Sequence, residues 1–77
     1  MTAGPTFDVL FTGRIDAAER ESWRLALRAA APEFIWWTDA DGELPRHAIA
    51  AAVVANPLPG ALEGLPRLRL VQSLWAG

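Results

Sequence analysis

Four short, mostly apolar runs divide the chain, and small, polar or proline residues separate them. They occupy residues 7–12, 33–37, 51–55 and 68–74. Runs of this length that are rich in β-branched and aromatic side chains are typical of β-strands. The third run is apolar at every position, which is typical of a parallel strand covered on both faces. The pattern therefore predicts four strands.

One helix is predicted between the first two strands. Asp16 is a suitable N-cap, and Glu19 three residues later completes an Asp-x-x-Glu variant of the capping box. Residues 17–31 are strong helix formers, and Pro32 ends the segment. Apolar residues recur at helical spacing and form one apolar face, made of Trp23, Ala26, Leu27, Ala30 and Ala31.

Two further segments carry shorter helical signals. Residues 44–48 predict a helical turn that begins at Pro45. Residues 58–65 predict a short helix with Pro59 in its first turn and Gly64 at its end. The element order is then β-α-β-(α)-β-α-β, which implies right-handed crossovers and a parallel sheet in an α/β fold.

The last strand is expected to lack cover on both faces. Alternation along the strand places Leu68, Leu70 and Leu74 on one face and Val71, Ser73 and Trp75 on the other. No residues remain in the sequence to cover them, and proteins usually avoid an unprotected apolar edge. We therefore expect a partner chain or further polypeptide to complete the layer.

Composition limits the classes of protein and partner that fit. The 77 residues make at most one small domain, and without cysteine neither disulfides nor thiolate metal ligands can stabilise it. With 52% hydrophobic and 21% charged residues, the chain is built to pack. A net charge of −2 gives no electrostatic reason to expect nucleic acid or an anionic membrane as a partner. The longest uncharged run, residues 48–62, is broken by prolines and cannot span a bilayer, so we expect a cytoplasmic protein.

The glycines do not form a nucleotide-phosphate loop. Their spacing matches neither G-x-G-x-x-G nor G-x-x-x-x-G-K-[ST]. Thr12-Gly13 after the first strand weakly resembles a flavin-phosphate loop, but the further hydroxyl residues of such a loop are missing. His47 is the only histidine and has no acidic partner identifiable from spacing, so we interpret it as a solvated side chain rather than a general base.

The charged and aromatic clusters have structural explanations. Three carboxylates alternate in the turn after the second strand, namely Asp39, Asp41 and Glu43. They lack the further bidentate acid of a calcium loop, which favours a solvated turn.

Three arginines share one helix face, namely Arg20, Arg24 and Arg28. Nearby glutamates and the negative net charge favour a solvated surface over a phosphate site. Trp36 and Trp37 point to opposite faces of a strand, so at least one belongs to the core.

Two turns remain as candidate binding elements, and each follows a predicted strand. The first is Asn56-Pro57-Leu58-Pro59, and the second is Trp75-Ala76-Gly77. The carboxyl ends of parallel strands form the edge at which α/β sheets bind ligands. Small residues there expose backbone N–H groups, which can hold a carboxylate without a charged side chain.

Several motifs match one known family in their order and spacing. They are residues 7–12, the Leu-Arg-x-Ala pattern within residues 23–31, Pro32, Trp37, the Val-Val-Ala-Asn-Pro-Leu-Pro turn of residues 53–59, and residues 68–77. The most specific piece is Leu74-Trp75-Ala76-Gly77, which is similar to the start of that family's Ala-Gly-Val-Asp segment. On these motifs the chain resembles the D-isomer-specific 2-hydroxyacid dehydrogenases of the glyoxylate/hydroxypyruvate reductase A type.

The resemblance implies that residues 1–77 are the N-terminal part of a flavodoxin-like substrate domain, which a C-terminal segment completes. Between these two parts the family inserts a Rossmann domain that binds NADPH or NADH, and this chain does not contain it. The resemblance further implies that the backbone amides of Ala76 and Gly77 bind the carboxylate of a small 2-oxo acid. Trp75 and the turn of Asn56, Pro57 and Leu58 then line the same cleft.

The family's catalytic residues align with nothing in this sequence. They are an arginine that polarises the keto group and a Glu–His pair that delivers the proton. His47 is therefore not expected to be the catalytic histidine. The intact enzyme is expected to reduce glyoxylate or hydroxypyruvate, and the 77 residues alone are expected to be inactive, with no cofactor or metal bound.

Two other interpretations remain open. A stand-alone α/β binding or oligomerisation module without catalysis would associate through its uncovered last strand, for example as a homodimer. A response-regulator-like receiver would need an aspartate at the end of the third strand, where this chain has Asn56.

Overall fold

The computed structural model describes residues 7–57 and 59–74. Within them the chain forms four strands and one helix: β1 (Asp8–Gly13), α1 (Ala17–Ala30), β2 (Ile35–Thr38), β3 (Ile49–Ala55) and β4 (Leu70–Ser73). The four predicted strands and the predicted helix are confirmed, and their ends lie within two residues of the predicted ends.

The four strands form one parallel sheet in the order β2-β1-β3-β4. The α/β class with a parallel sheet is therefore confirmed for the described part of the chain. Because all the strands run the same way, their carboxyl ends lie at a single edge, which we call the carboxyl edge. The order reverses at β1, since β2 lies on one side of it and β3 on the other.

Helix α1 begins where the capping pattern predicts. The Asp16 side chain accepts a hydrogen bond of 2.8 Å from the backbone N–H of Glu19, which satisfies one of the donors left free at a helix start. The helix lies over β1 and β2: the ring centroids of Trp23 and Phe11 are 6.2 Å apart, and the Trp36 indole N–H donates to the Ala31 carbonyl. Among the described residues, no helix has the length and apolar character needed to cross a membrane.

Only part of the predicted apolar face of α1 is covered. Trp23 and Leu27 are half-buried, whereas Ala26 and Ala30 are exposed. The helix contacts the sheet mainly through β2 and leaves the side facing away from β2 open. The predicted apolar face is therefore covered only in part, because α1 has no neighbouring helix among the described residues.

The main core lies on the other face of the sheet. Its buried members are Leu10, Ile49, Ala52, Val54 and Leu65, with Trp37, Leu44, Leu62 and Leu68 packed against them. Most of the packing residues belong to the connections after β2 and β3. Irregular chain, rather than helix, covers this face in the described residues.

Of the two helical segments predicted in these connections, the turn at Pro45 is present as a single turn, and the short helix of residues 58–65 is not formed in the described residues. Residues 44–48 contain a single turn, in which the Ala48 N–H donates to the Pro45 carbonyl at 2.9 Å. Residues 59–64 form turns, and Leu58 lies outside the described residues. Gly60, inside the predicted helix, has φ of +80°, which is left-handed backbone that the interior of a right-handed helix does not contain. The described chain therefore reads β-α-β-β-β.

A register shift explains why β3 begins two residues earlier than predicted. Asp8 pairs with Ile49 and Val9 pairs with Ala51, so Ala50 is an extra residue in β3. The shift lets Ile49 enter the core beside Leu10, where it is fully buried.

Strand β4 is exposed on both faces, as predicted. Leu70 is 62% exposed and Val71 is 46% exposed, and these two residues point to opposite sides of the strand. β4 pairs only with β3 in the described sheet, so it forms one edge of it.

Candidate functional site

The strand order reverses between β1 and β3, and in open α/β sheets the carboxyl ends of the strands at such a point are where ligands bind. The two strands are in unusually close contact there. Gly13 pairs with Ala55, and a Cβ atom at Gly13 would overlap the Ala55 carbonyl oxygen. Glycine is therefore required at residue 13 for the two strand ends to approach each other.

Arg14 holds the turn that follows β3. Its backbone N–H lies 3.2 Å from the carbonyl oxygens of both Ala55 and Asn56. Its guanidinium donates to the Asn56 carbonyl at 3.2 Å and to the Asn56 side-chain oxygen at 3.1 Å. Asn56 has φ of +51°, the left-handed region that asparagine tolerates better than most residues. Arg14 thus fixes the backbone of Asn56 at the carboxyl edge.

A second cluster ties the ends of β1 and β2 to α1. The hydroxyl of Thr12, which is 3% exposed, donates to Asp39 Oδ2 at 2.9 Å. The other carboxylate oxygen of Asp39 lies 3.3 Å from Arg20 Nε in an ion pair, and Arg20 also donates to the Ile15 carbonyl. The Arg20 and Asp39 side chains are 22% and 42% exposed, so solvent screens this pair in part. Asp39 thereby has a fixed position at the edge.

The turn after β2 is organised by its own side chains. Asp41 accepts a hydrogen bond of 2.8 Å from the Thr38 N–H, and the Thr38 hydroxyl accepts one from the Ala40 N–H. This is the local side-chain pairing that favours turns at Asp and Thr. Glu43 is exposed. Across residues 7–57 and 59–74, no three His, Cys, Asp or Glu side chains are placed to hold a metal ion.

A cavity of about 260 Å³ opens at this edge. Its lining residues come from the ends of β1 and β2 and from both long connections: Thr12, Gly13, Asp39, Arg46, Pro59, Gly60 and Ala61. Asp39 and Arg46 give the wall one acidic and one basic side chain, and Gly60 contributes left-handed backbone. Such a wall suits a small polar molecule.

The predicted binding residues fall into two groups. Asn56 and Pro57 lie at the carboxyl edge directly after β3, as predicted. Leu58, Trp75, Ala76 and Gly77 lie outside the described residues. The last described residue, Leu74, donates its N–H to the Val54 carbonyl at 2.9 Å. The end of β4 is therefore beside the end of β3, two residues before Asn56.

The structure also shows where His47, Trp37 and the three helix arginines lie. His47 is exposed. Trp37 packs against the main core and donates to Asp8 Oδ1 at 2.9 Å, which confirms that at least one of the paired tryptophans is a core residue. Arg28 is exposed, as expected for a solvated surface. Arg24 pairs with Glu21 at 3.0 Å and Arg20 pairs with Asp39, and both arginines are half-buried. The Arg24–Glu21 pair is the helix-surface pairing with a nearby glutamate that the sequence predicts, whereas Arg20 bonds to Asp39 in the turn after β2.

The sequence analysis did not identify four residues as parts of the carboxyl edge. They are Thr12 and Asp39, which bond to each other, and the two arginines Arg14 and Arg46. A signal existed for the first two, because Thr12 ends one predicted strand and Asp39 follows the next, and such residues meet at one edge of a parallel sheet. Arg14 and Arg46 lie in connections whose path no periodicity predicts.

The assembled edge can bind and orient a small ligand. Its charged side chains are a positioned carboxylate at Asp39 and guanidinium groups at Arg14 and Arg46. Comparisons with protein-family models, with curated proteins and with solved structures gave no significant match.

Proposed function

We propose that residues 1–77 form the N-terminal part of the flavodoxin-like substrate domain of an NAD(P)H-dependent 2-hydroxyacid dehydrogenase of the glyoxylate/hydroxypyruvate reductase A type. The strand order β2-β1-β3-β4 supports the proposal, because flavodoxin-like sheets begin with the same order and bind their ligand where that order reverses. In the intact enzyme the chain supplies one wall of the substrate cleft.

One observation carries the proposal. The two turns that the family uses around its substrate follow β3 and β4, and these strands end side by side, joined by the Leu74–Val54 hydrogen bond of 2.9 Å. Asn56 and Pro57 are thereby at the same edge as Leu74, the residue that precedes the Trp75-Ala76-Gly77 segment in the sequence. The proposed role of that segment is to donate backbone N–H groups to the carboxylate of a 2-oxo acid.

Arg14 and the Thr12–Asp39–Arg20 cluster have a positioning role in this proposal. Arg14 holds the Asn56 backbone, and Asp39 joins the ends of β1 and β2. The family's catalytic arginine and its Glu–His pair align with none of these residues. The sequence also contains no glycine-rich loop for a dinucleotide. The groups that reduce the keto carbon therefore belong to polypeptide outside these 77 residues.

The test is turnover of glyoxylate and hydroxypyruvate with NADPH and with NADH, followed as loss of absorbance of the reduced cofactor. We expect the polypeptide that continues in the same reading frame to oxidise the cofactor only when a 2-oxo acid is present. The 77-residue chain under the same conditions is expected to give no turnover. Turnover by the 77 residues alone, or no turnover by the longer polypeptide with either cofactor, would contradict the proposal.

A second candidate function is a stand-alone binding or oligomerisation module. The exposure of β4 favours it, because Leu70 and Val71 would be covered in a dimer that joins two edge strands. Sedimentation across a range of concentrations discriminates the two candidates when combined with the sequence of the reading frame. A stop after Gly77 and a stable homodimer favour the module, whereas a continuing frame and a monomeric 77-residue chain favour the enzyme.

A further inference from the structure

The cavity of about 260 Å³ at the carboxyl edge, which we call the edge cavity, is lined by side chains of both charges. Asp39 supplies a carboxylate and Arg46 supplies a guanidinium. The two turns proposed to bind a 2-oxo acid follow β3 and β4, whereas Asp39 follows β2 on the other side of the sheet. Among the described residues, neither Asn56 nor Pro57 lines the edge cavity. The cavity is therefore a feature separate from those turns.

Asp39 is held in place and can still accept a further partner. Its Oδ2 accepts a hydrogen bond of 2.9 Å from the Thr12 hydroxyl, and its Oδ1 lies 3.3 Å from Arg20 Nε. A carboxylate has about four lone-pair sites, so both oxygens have capacity for another hydrogen bond. The Asp39 side chain is 42% exposed. A ligand that donates hydrogen bonds can therefore reach this carboxylate without displacing its present partners.

Arg46 lies in a turn that is anchored to the core. Its backbone N–H donates to the Leu44 carbonyl at 2.9 Å, and the Leu44 side chain packs against the main core. Arg46 is exposed, and its guanidinium forms no hydrogen bond or ion pair within residues 7–57 and 59–74. A guanidinium presents its N–H donors in a fork that matches the two oxygens of a carboxylate. The wall thus offers a basic group that is ready to bind an anion.

The rest of the wall is made of small residues and backbone. Pro59, Gly60 and Ala61 form it, and the turn there is closed by a hydrogen bond of 3.1 Å from the Glu63 N–H to the Gly60 carbonyl. The Glu63 carboxylate lies against this turn, because a Cβ atom at Gly60 would be 3.0 Å from it. Sites for drug-sized ligands occupy roughly 300–1,000 Å³, so a cavity of about 260 Å³ suits a smaller molecule.

Charges of both signs surround the edge cavity. Asp39 and Glu63 are negative, and Arg20 and Arg46 are positive. A ligand with a single charge would meet a like charge close to its partner, which disfavours binding. A ligand with one charge of each sign can pair its cation with Asp39 and its anion with Arg46. The complementary ligand is therefore a small zwitterion.

We propose that the edge cavity binds a small α-amino acid, whose ammonium group donates to Asp39 and whose carboxylate accepts hydrogen bonds from Arg46. The ligand class follows from the two charges on the wall and from the size of the cavity. The proposal goes beyond the reductase function and does not rest on it, because a 2-oxo acid carries no cationic group for Asp39.

The first test compares three molecules of similar size by NMR titration of the 77-residue chain. L-Alanine carries both charges, propionate carries only the anion, and ethylamine carries only the cation. We expect L-alanine to shift the backbone amides of Gly13, Gly60 and Ala61 with a dissociation constant in the millimolar range, because both charged partners are solvent-accessible. Propionate and ethylamine each lose one charge pair and are expected to bind roughly fivefold more weakly.

The second test removes each charge from the wall. Arg46→Gln breaks no side-chain contact among the described residues and is expected to weaken L-alanine binding roughly fivefold. Asp39→Asn is expected to do the same, but it also breaks the ion pair with Arg20, so circular dichroism must show that it folds. Arg46→Gln decides the test if Asp39→Asn does not fold. Glu43→Gln and Arg67→Gln are the matched controls, since both residues are exposed and neither lines the described cavity. They are expected to leave the dissociation constant unchanged.

Three results would overturn the proposal. The first is the lack of a saturable shift at residues 13, 60 and 61 with L-alanine at tens of millimolar. The second is propionate or ethylamine that binds as tightly as L-alanine, because one charge pair would then suffice. The third is unchanged binding by the Arg46→Gln variant. Reductase activity of a longer polypeptide affects none of these results, so the proposal and the proposed reaction can fail separately.

Discussion

The backbone at the end of β1 is fixed by its neighbour on β3. Gly13 approaches the Ala55 carbonyl too closely for any Cβ, and Asn56 next to it adopts φ of +51° under the hold of Arg14. Residues in rarely populated backbone regions often mark binding sites, where the surrounding structure must hold them. The ends of β1 and β3 are therefore shaped by a close backbone contact and by the side chains of Arg14 and Asn56.

Gly13→Ala should destabilise the chain by about 1–3 kcal/mol, because the added methyl group has no room beside the Ala55 backbone. Gly42→Ala is the matched control, since a Cβ at residue 42 would meet nothing within 4 Å. Urea unfolding followed by tryptophan fluorescence measures both free energies. Equal free energies of unfolding for the two variants would show that the strand ends are not in close contact.

The Thr12–Asp39 hydrogen bond should be detectable as a coupling energy. A double-mutant cycle of Thr12→Val and Asp39→Ala is expected to give about 1 kcal/mol, because the bond joins a buried hydroxyl to a carboxylate that is partly exposed. The same cycle with Asp41→Ala in place of Asp39→Ala is the control, since Asp41 bonds to the Thr38 N–H instead. A coupling of zero with Asp39, or an equal coupling with Asp41, would contradict the assignment.

At the scale of elements, sequence patterns predicted the helix and the strands, because these elements depend on interactions between residues close together in the chain. The capping box at Asp16 placed the start of α1 correctly, and the apolar runs placed all four strands. The short helix predicted for residues 58–65 failed for a reason that the local sequence does not carry. Gly60 and Gly64 adopt left-handed backbone, and their φ depends on how residues 59–64 cross the core face, which the spacing of prolines and glycines does not reveal.

Asp16→Ala should lower the free energy of unfolding by about 1 kcal/mol, because the Glu19 N–H loses its 2.8 Å acceptor at the start of α1. Glu21→Ala is the control and is expected to change stability by less than about 0.5 kcal/mol, since Glu21 makes only an exposed i,i+3 pair with Arg24. Thermal unfolding followed by circular dichroism measures both. A loss at Glu21 as large as the loss at Asp16 would remove the argument for the cap.

At the scale of the whole molecule, the described sheet has a well-covered centre and a bare edge. β1 and β3 hold most of the fully buried residues, whereas every residue of β4 is exposed. The main core is on one face, and the other face is covered by α1 over β1 and β2 only. Such an arrangement stabilises the strands unequally.

Hydrogen exchange of the 77-residue chain should show this inequality. The backbone amides of β4 are expected to exchange faster than those of β1 and β3, because opening β4 exposes little additional apolar surface. Mass spectrometry of peptides from each strand, or NMR of single amides, measures the rates. Protection of β4 equal to that of β1 in a monomeric chain would contradict the exposed edge.

The sequence by itself determined the elements that depend on neighbouring residues: the strands, the capped helix, the parallel class and the lack of cover over Leu70 and Val71. Only the tertiary structure decided which residues meet. The pairing of Asp39 with Thr12 and Arg20, the hold of Arg14 on Asn56 and the place of Arg46 at the carboxyl edge join residues far apart in the chain. The physical reason is that periodicity reports which face a residue occupies within its own element, whereas strand order and register decide its neighbours.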